Sequence, residues 1–120
     1  MTGIVDDLGR ALVTIRLKQP DAEDFIEVDT WVDTGFTGEL VLPKSIVESL
    51  GLTDANVIKA ELGDGTEAVF DTYICALEWF GEQIEIEALQ SSGDYPLLGA
   101  TLLMGHQLAI DYALSSVTIA

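Results

Sequence analysis

The segment Trp31-Val32-Asp33-Thr34-Gly35 places a carboxylate, a hydroxyl and a glycine directly after two apolar residues. The residues before it alternate with the period of two that is typical of a half-buried strand. One face carries apolar residues and the other mostly polar ones: Ile26, Val28 and Val32 against Glu27, Asp29 and Trp31. Asp-Thr-Gly is also an ordinary turn sequence, because Asp hydrogen-bonds its own backbone and Gly accepts positive φ. Its meaning therefore depends on the segments around it.

Two later segments bear on how Asp33-Thr34-Gly35 is interpreted. Gly63-Asp64-Gly65 lies between strand-like residues 56–62 and 66–77, and a Gly-containing connection of this length is typical of a β-hairpin. Further along the chain, Leu97-Leu98-Gly99 is an apolar-apolar-Gly segment, and residues 100–104 follow it. The chain thus presents a strand ending in Asp-Thr-Gly, then a glycine-containing hairpin, then an apolar-apolar-Gly strand.

In that order the three elements resemble the retropepsin-like aspartic proteases, over residues 25–112. The small single-domain bacterial members of this family are the most similar, since residues 36–43 are a typical continuation of their motif. The resemblance implies a mainly β fold, a closed β-barrel with one or two short helices. It also implies that the hairpin is a flap over the substrate and that the later strand leads into a short C-terminal helix.

The same resemblance implies roles for individual residues. Asp33 is the catalytic carboxylate, one from each subunit of a homodimer, and the Thr34 hydroxyl bonds across the dimer axis. Gly35 lets its backbone N–H approach the carboxylate because glycine has no Cβ. Phe36 narrows the substrate pocket beside the pair of aspartates. The flap residues that close over a bound peptide are Gly63, Asp64 and Gly65.

The later strand carries the structural motif Leu97, Leu98 and Gly99, and the resemblance implies that Gly99 permits tight packing behind the active-site loop. Two positions depart from the viral members of the family. Those carry an acidic residue and an arginine that brace the dimer, whereas this chain has Thr37 and Ala100. Because both charges are missing together, no unpaired charge remains. We therefore expect the dimer to be held by apolar packing and strand pairing.

Length and charge narrow the classes of function. The chain has 120 residues, which predicts a single domain over residues 1–120. It is too short for two lobes, so a protease of this kind is expected to be a homodimer. A net charge of −16 repels phosphate backbones and anionic lipid, which excludes nucleic acid and membranes from the expected partners. The 48% hydrophobic content indicates an acidic surface over a real core.

The remaining patterns complete a β-rich prediction. Strand patterns occur at residues 12–17, 39–42, 74–80, 83–89, 108–112 and 116–119. Residues 43–51 predict a two-turn helix that opens with Pro and closes with Gly, and residues 90–94 predict a polar loop. The sequence has no signal-peptide pattern and no apolar run near eighteen residues, so the expected location is cytoplasmic.

Other reactive side chains give less indication of a functional site than Asp33-Thr34-Gly35 does. Cys75 lies in an apolar run and is expected to be a buried hydrophobic residue. His106 has no Cys or His partner in the sequence, so neither a metal site nor a histidine-based triad is expected, and we expect it to face solvent. Gly63-Asp64-Gly65 lacks the alternating aspartates of a calcium loop. No cofactor is expected.

The predicted function is peptide-bond hydrolysis by a homodimeric aspartic endopeptidase. Two aspartates in contact share one proton, so one carboxylate can activate water while the other acid protonates the carbonyl oxygen. An alternative is a non-catalytic dimerisation or peptide-binding module with the same fold, since a fold does not guarantee a function. A further alternative is an unrelated acidic β-barrel in which Asp33-Thr34-Gly35 is only a turn.

Overall fold

The computed structural model describes residues 1–61 and 63–120. Within them the chain forms ten strands and two short helices, which agrees with the predicted β-rich fold. The strands are β1 (Thr2–Val5), β2 (Ala11–Lys18), β3 (Ile26–Asp33), β4 (Leu40–Pro43), β5 (Asp54–Glu61), β6 (Glu67–Trp79), β7 (Glu82–Ser91), β8 (Leu97–Gly99), β9 (Leu108–Asp111) and β10 (Ser116–Ile119). The helices are α1 (Lys44–Leu50) and α2 (Ala100–Leu103).

Six of these strands close into a barrel. They are neighbours in the order β6, β7, β4, β8, β3 and β2, and the antiparallel pairing of β2 with β6 closes the ring. The β5 strand extends outward from β6 as the first arm of a hairpin, while β1, β10 and β9 continue the sheet beyond β2. The prediction of a closed β-barrel with one or two short helices is therefore confirmed, and the structure has two.

Alternate residues of β2 fill the barrel, as their period of two predicts. Val13, Ile15 and Leu17 are 0%, 2% and 0% exposed. Thr30 on the neighbouring strand β3 is also fully buried, and its hydroxyl donates a 2.8 Å hydrogen bond to the Val13 carbonyl oxygen. This bond satisfies a polar group that would otherwise be costly to bury.

The two faces of β3 differ from the prediction at one residue. Val28 and Val32 are buried and Trp31 is exposed on the outer face, as expected. Ile26, which we placed on the buried face, is instead 41% exposed. That placement was wrong because β3 begins at Ile26, so this side chain lies at the rim of the barrel.

The first helix follows local sequence signals closely, whereas the end of β7 differs from the prediction. The α1 helix begins directly after Pro43 and ends at Gly51, which adopts the left-handed conformation at φ 65° that favours glycine. The β7 strand continues to Ser91, into the predicted polar loop, because β4 pairs with it in parallel as far as Ser91. The predicted end of the flap strand at Leu62 lies outside the described residues.

The short strand β1 carries no strand prediction and is added by tertiary pairing. It pairs with β2 on one side and β10 on the other. A Cβ atom on Gly3 would overlap the Leu12 carbonyl oxygen, so glycine permits this close approach of the two strands. The amino group of Met1 donates to the Ile119 carbonyl oxygen at 2.9 Å. The two ends of the chain are therefore joined within one subunit.

Candidate active site

Asp33 is the last residue of β3, and the fold places it beside the apolar-apolar-Gly strand. The β3 and β8 strands run in parallel with Val32 opposite Leu98 and Asp33 opposite Gly99. On its other side β8 pairs with β4, with Leu40 opposite Leu98. Two segments that are 66 residues apart in the sequence thus meet at one end of the barrel.

The Asp33 side chain is held by its own loop. The backbone N–H of Gly35 donates to Asp33 Oδ1 at 2.9 Å, and the N–H of Phe36 donates to the Asp33 carbonyl oxygen at 3.2 Å. A Cβ atom on Gly35 would lie 3.2 Å from the same carboxylate oxygen, a tight approach that glycine avoids. The carboxylate therefore has a fixed direction at a half-exposed position, and Thr34 at the loop apex is exposed.

Gly99 lies directly behind this loop. A Cβ atom there would overlap the Gly38 carbonyl oxygen and the Phe36 ring. The N–H of Gly99 also donates to the Glu39 carbonyl oxygen at 2.8 Å. The backbone of β8 thus packs against the loop more closely than any residue with a side chain would allow.

Thr37 and Ala100 are the two positions that lack the charges of the viral proteases. Their backbone groups take part in hydrogen bonds between the Asp33 loop and the start of α2. The N–H of Ala100 donates to the Phe36 carbonyl oxygen at 2.7 Å. The Thr101 hydroxyl donates to the Thr37 carbonyl oxygen, and the Thr101 N–H donates to the Gly38 carbonyl oxygen at 3.2 Å. Hydrogen bonds from the start of α2 therefore hold the Asp33 loop within one subunit without an ion pair at these positions.

A cleft of about 520 Å³ opens beside Asp33. Its walls are largely apolar, and they come from the loop, the three barrel strands β4, β7 and β8, and the hairpin. Phe36, Val41, Phe70, Leu89 and Leu97 are the main apolar residues of the lining. A cleft with apolar walls and a carboxylate at its edge can hold apolar groups of a ligand next to that carboxylate.

The β5–β6 hairpin forms one side of this cleft and has a tight glycine-containing tip. Gly65 has φ +85°, a conformation that L side chains rarely adopt. Asp64 Oδ1 accepts hydrogen bonds from the Thr66 hydroxyl at 2.6 Å and the Thr66 N–H at 3.0 Å. These bonds lower the pKa of Asp64 below its ordinary value. Gly63 lines the cleft, whereas the Asp64 carboxylate is engaged in holding the turn.

Three lining residues carried no signal that singled them out in the sequence. Val41, Phe70 and Leu89 occupy apolar positions of ordinary strand patterns. Periodicity predicts which side of a strand is apolar, but it does not distinguish a side that faces the core from one that faces a cleft. Only the closure of the barrel and the position of the hairpin bring these three side chains to Asp33.

Two other reactive residues lie away from the cleft lining. Cys75 is fully buried, and burial, with a smaller contribution from the negative charge of Glu39, raises its pKa to about 12. His106 is half-buried and stacks on the Phe80 ring at 4.5 Å between centroids, so the expectation that it faces solvent was wrong. The turn after α2 brings the His106 ring against the aromatic residues of the β6–β7 turn.

Within residues 1–61 and 63–120, no three His, Cys, Asp or Glu side chains are grouped so that they could hold a metal ion. Neither helix in this part of the chain has the length and hydropathy needed to cross a membrane.

Solved structures of similar fold include three proteases. A retropepsin-like aspartic protease from Rickettsia conorii is 17% identical, with a TM-score of 0.66, over 99% of this chain and 88% of that one. The EIAV protease in complex with the inhibitor HBY-793 is 16% identical, with a TM-score of 0.58, over 80% and 86%. The simian foamy virus (mac) protease is 20% identical, with a TM-score of 0.50, over 77% and 92%.

The sequence matches no protein-family model and no curated protein. At 16–20% identity the three structural likenesses concern the fold. They agree with the closed barrel found here, and so with the resemblance drawn from the sequence. The chain therefore has the retropepsin-like aspartic protease fold.

Proposed function

We propose that this protein is a homodimeric aspartic endopeptidase in which each subunit contributes one Asp33 to the catalytic pair. The observation that carries the proposal is the position of Asp33 at the edge of an apolar cleft beneath a glycine-tipped hairpin. A turn that served only to reverse the chain would not need the apolar cleft beside it. The structures of similar fold support this reading, since one is a retropepsin-like aspartic protease and the other two are proteases.

The mechanism follows from two carboxyl groups in contact. Like charges at about 3 Å do not both ionise, so the pair of Asp33 side chains holds one proton between them. The ionised carboxylate takes a proton from water, whose oxygen attacks the peptide carbonyl carbon. The protonated carboxyl donates its proton to the carbonyl oxygen, and collapse of the resulting diol releases the amine after proton transfer to nitrogen.

The neighbouring residues position this pair. In the proposed dimer the exposed Thr34 hydroxyl bonds to the loop of the second copy, which keeps the two carboxyl groups coplanar. Phe36 limits the width of the pocket next to the pair, and the hairpin tip at Gly63, Asp64 and Gly65 closes over the bound peptide. Closure excludes water from the reacting bond and offers backbone hydrogen bonds to an extended substrate.

The pH dependence of peptide cleavage tests the proposal. Because one carboxyl must be ionised and the other protonated, we expect kcat/KM to follow a bell with its maximum between roughly pH 4 and 6. The measurement is cleavage of a diverse peptide library by the purified protein from about pH 3 to 9. A dimer that binds peptides and cuts none across this range would favour a peptide-binding module. A rate that rises steadily to pH 9 would indicate a different chemistry.

Salt should strengthen the dimer. Each copy carries −16, and no ion pair braces the loop at Thr37 and Ala100, so long-range repulsion opposes association. Added salt screens exposed charges beyond about 8 Å at physiological ionic strength. We expect the dissociation constant from sedimentation to fall as NaCl rises from about 20 to 500 mM. Weaker association at high salt would mean that ion pairs between subunits hold the dimer.

A further inference from the structure

The first half of β3 has an open edge. Residues 26–31 pair with β2 on one side, but the parallel pairing with β8 on the other side begins only at Trp31, opposite Leu97. Within residues 1–61 and 63–120, residues 26–30 of β3 therefore have a neighbouring strand on one side only. A sheet edge of this kind is able to pair with a further strand.

The backbone groups that point to this edge are those of Glu27 and Asp29. The Trp31 N–H donates to the Pro96 carbonyl oxygen at 2.9 Å, so the Trp31 backbone points towards β8. Along a strand with an antiparallel partner the backbone groups alternate in direction, so those of Glu27 and Asp29 point the same way as those of Trp31. The next N–H of the parallel ladder would come from residue 96, which is a proline and has none. Pro96 thus ends the ladder beside Asp29.

A groove of about 370 Å³, the β3 groove, lies along this edge. Its apolar lining includes Ile26 and Val28 of β3, Ile46 of α1 and Pro96. Ile26 is the residue whose alternation predicts a buried side chain and which is instead 41% exposed. A strand added to the open edge would cover it.

The charged residues that line the β3 groove are all acidic: Glu27, Asp29 and Asp94. All three are exposed, and none of them belongs to the three ion pairs found in the described parts of the chain. Glu27 and Asp29 project from the outer face of β3, opposite to the face of Ile26. An added strand would therefore meet carboxylates on one face and apolar side chains on the other.

A second copy of this chain does not supply a strand that matches the groove. The five basic residues are Arg10, Arg16, Lys18, Lys44 and Lys59. Two of them, Arg16 and Lys18, occupy alternate positions of one strand, but that strand is β2, which is already paired with β3 and β6. Repulsion between two chains of −16 each further opposes such a contact.

We propose that the β3 groove binds an extended basic segment of another protein, with Lys or Arg at alternate positions and apolar residues between them. The segment adds to β3 as a strand through the backbone groups of Glu27 and Asp29. Its basic side chains lie beside the three carboxylates, and its apolar side chains pack on Ile26. The groove shares no lining residue with the Asp33 cleft, so this binding does not depend on the proposed function.

Binding of a synthetic peptide tests the proposal. The probe has blocked ends and about ten residues in which lysine and valine alternate, and the control peptide has glutamate in place of lysine. We expect calorimetry with the full chain at low salt to give a Kd below about 1 mM for the lysine peptide and no binding of the glutamate peptide. Asp33→Asn should bind the probe equally well. Absence of binding by the lysine peptide would overturn the proposal.

Amide hydrogen exchange locates the bound probe. The N–H groups of Glu27 and Asp29 point to the open edge, so we expect them to exchange quickly in the free protein and slowly at saturation. Those of Val28 and Thr30 point to β2 and should be protected in both states, which makes them internal controls. Protection at the Asp33 cleft, without protection of Glu27 and Asp29, would overturn the proposal.

Glu27→Lys and Glu85→Lys separate the β3 groove from the overall charge. Each variant replaces an exposed strand glutamate, and the two change the net charge equally. Glu27→Lys places a cation beside the lysines of the probe, so its Kd should be roughly fivefold or more above that of Glu85→Lys. Equal affinities would mean that the probe responds only to net charge, and would contradict binding in the groove.

N-methylation of the probe tests whether its backbone pairs with β3. Alternate N–H groups of an added strand point to its neighbour and the others point away. We expect N-methyl groups on one alternate set of residues to abolish binding, while those on the other set leave the Kd within about threefold. Loss through the lysine set indicates an antiparallel strand, and loss through the valine set indicates a parallel one. Equal effects of the two sets would overturn strand addition.

Discussion

Asp33→Asn should abolish peptide cleavage, with a loss of at least about 10³-fold in kcat/KM. The substitution keeps the size of the side chain, and the amide oxygen can still accept the hydrogen bond that Gly35 donates to Oδ1. It removes both the general base and the general acid, because neither subunit then holds a carboxyl group at the pair. Folding should survive, since Asp33 is half-exposed.

Asp29→Asn is the matched control for this variant. Asp29 lies on the same strand and is exposed, and the Thr14 hydroxyl donates to its Oδ1 at 2.6 Å. An amide oxygen accepts the same hydrogen bond, so Asp29→Asn changes the charge equally and should leave the cleavage rate within about twofold. Parental cleavage by Asp33→Asn would mean that the activity belongs to another site or to a contaminant.

The same Asp33→Asn preparation should dimerise at least as tightly as the parent. Two aspartates held in contact repel each other unless they share a proton, and two amides do not. The dissociation constant from sedimentation at neutral pH should therefore be unchanged or lower. A markedly weaker dimer would mean that the carboxyl pair contributes attraction, for instance through a proton that is tightly shared.

Gly99→Ala should destabilise the fold by about 2–3 kcal/mol or more. The new methyl group would overlap the Gly38 carbonyl oxygen and the Phe36 ring, so the backbone behind the Asp33 loop must move apart. A small domain has a total stability of about 5–15 kcal/mol, so the loss is a large fraction of it. Urea unfolding followed by tryptophan fluorescence measures this difference, and complete failure to fold is the extreme form of the same result.

Gly93→Ala is the comparison for this stability measurement. A Cβ atom there would meet only the Ser91 hydroxyl oxygen at 3.5 Å, an ordinary contact, so the free energy of unfolding should change by less than about 0.5 kcal/mol. Adding Phe36→Leu to Gly99→Ala should give little recovery, because the Gly38 carbonyl oxygen remains. Equal stability of Gly99→Ala and Gly93→Ala would contradict the tight packing behind the loop.

Local signals in the sequence predicted individual strands and helices well, because such signals depend only on residues that are close in the sequence. The period of two predicted the buried face of β2, and Pro43 and Gly51 predicted where α1 begins and ends. Both signals act within a few residues, through side-chain direction in a strand and through backbone conformation at helix ends. The period of two failed for Ile26, which is the first residue of β3, and no local pattern predicted that His106 stacks on Phe80 of a distant turn.

The candidate site, too, could be predicted from the sequence only in part. Asp33-Thr34-Gly35, the hairpin tip and Leu97-Leu98-Gly99 could be selected from the sequence through the resemblance, with their roles as predictions. Their arrangement depends on pairing between β3 and β8, which no local pattern encodes. The cleft residues Val41, Phe70 and Leu89 were not selected, because apolar residues in strands have the same pattern whether they face a core or a cleft.

By itself the sequence determined a mainly β chain of −16 charge, with one Asp-Thr-Gly at the end of an alternating strand. Only the tertiary structure decided that six strands close into a barrel, that Gly99 packs against the Asp33 loop, and that β9 remains an open edge. The physical reason is that alternation and turn residues act over a few positions, while strand partners are chosen by burial and by hydrogen bonds that only the assembled sheet can satisfy.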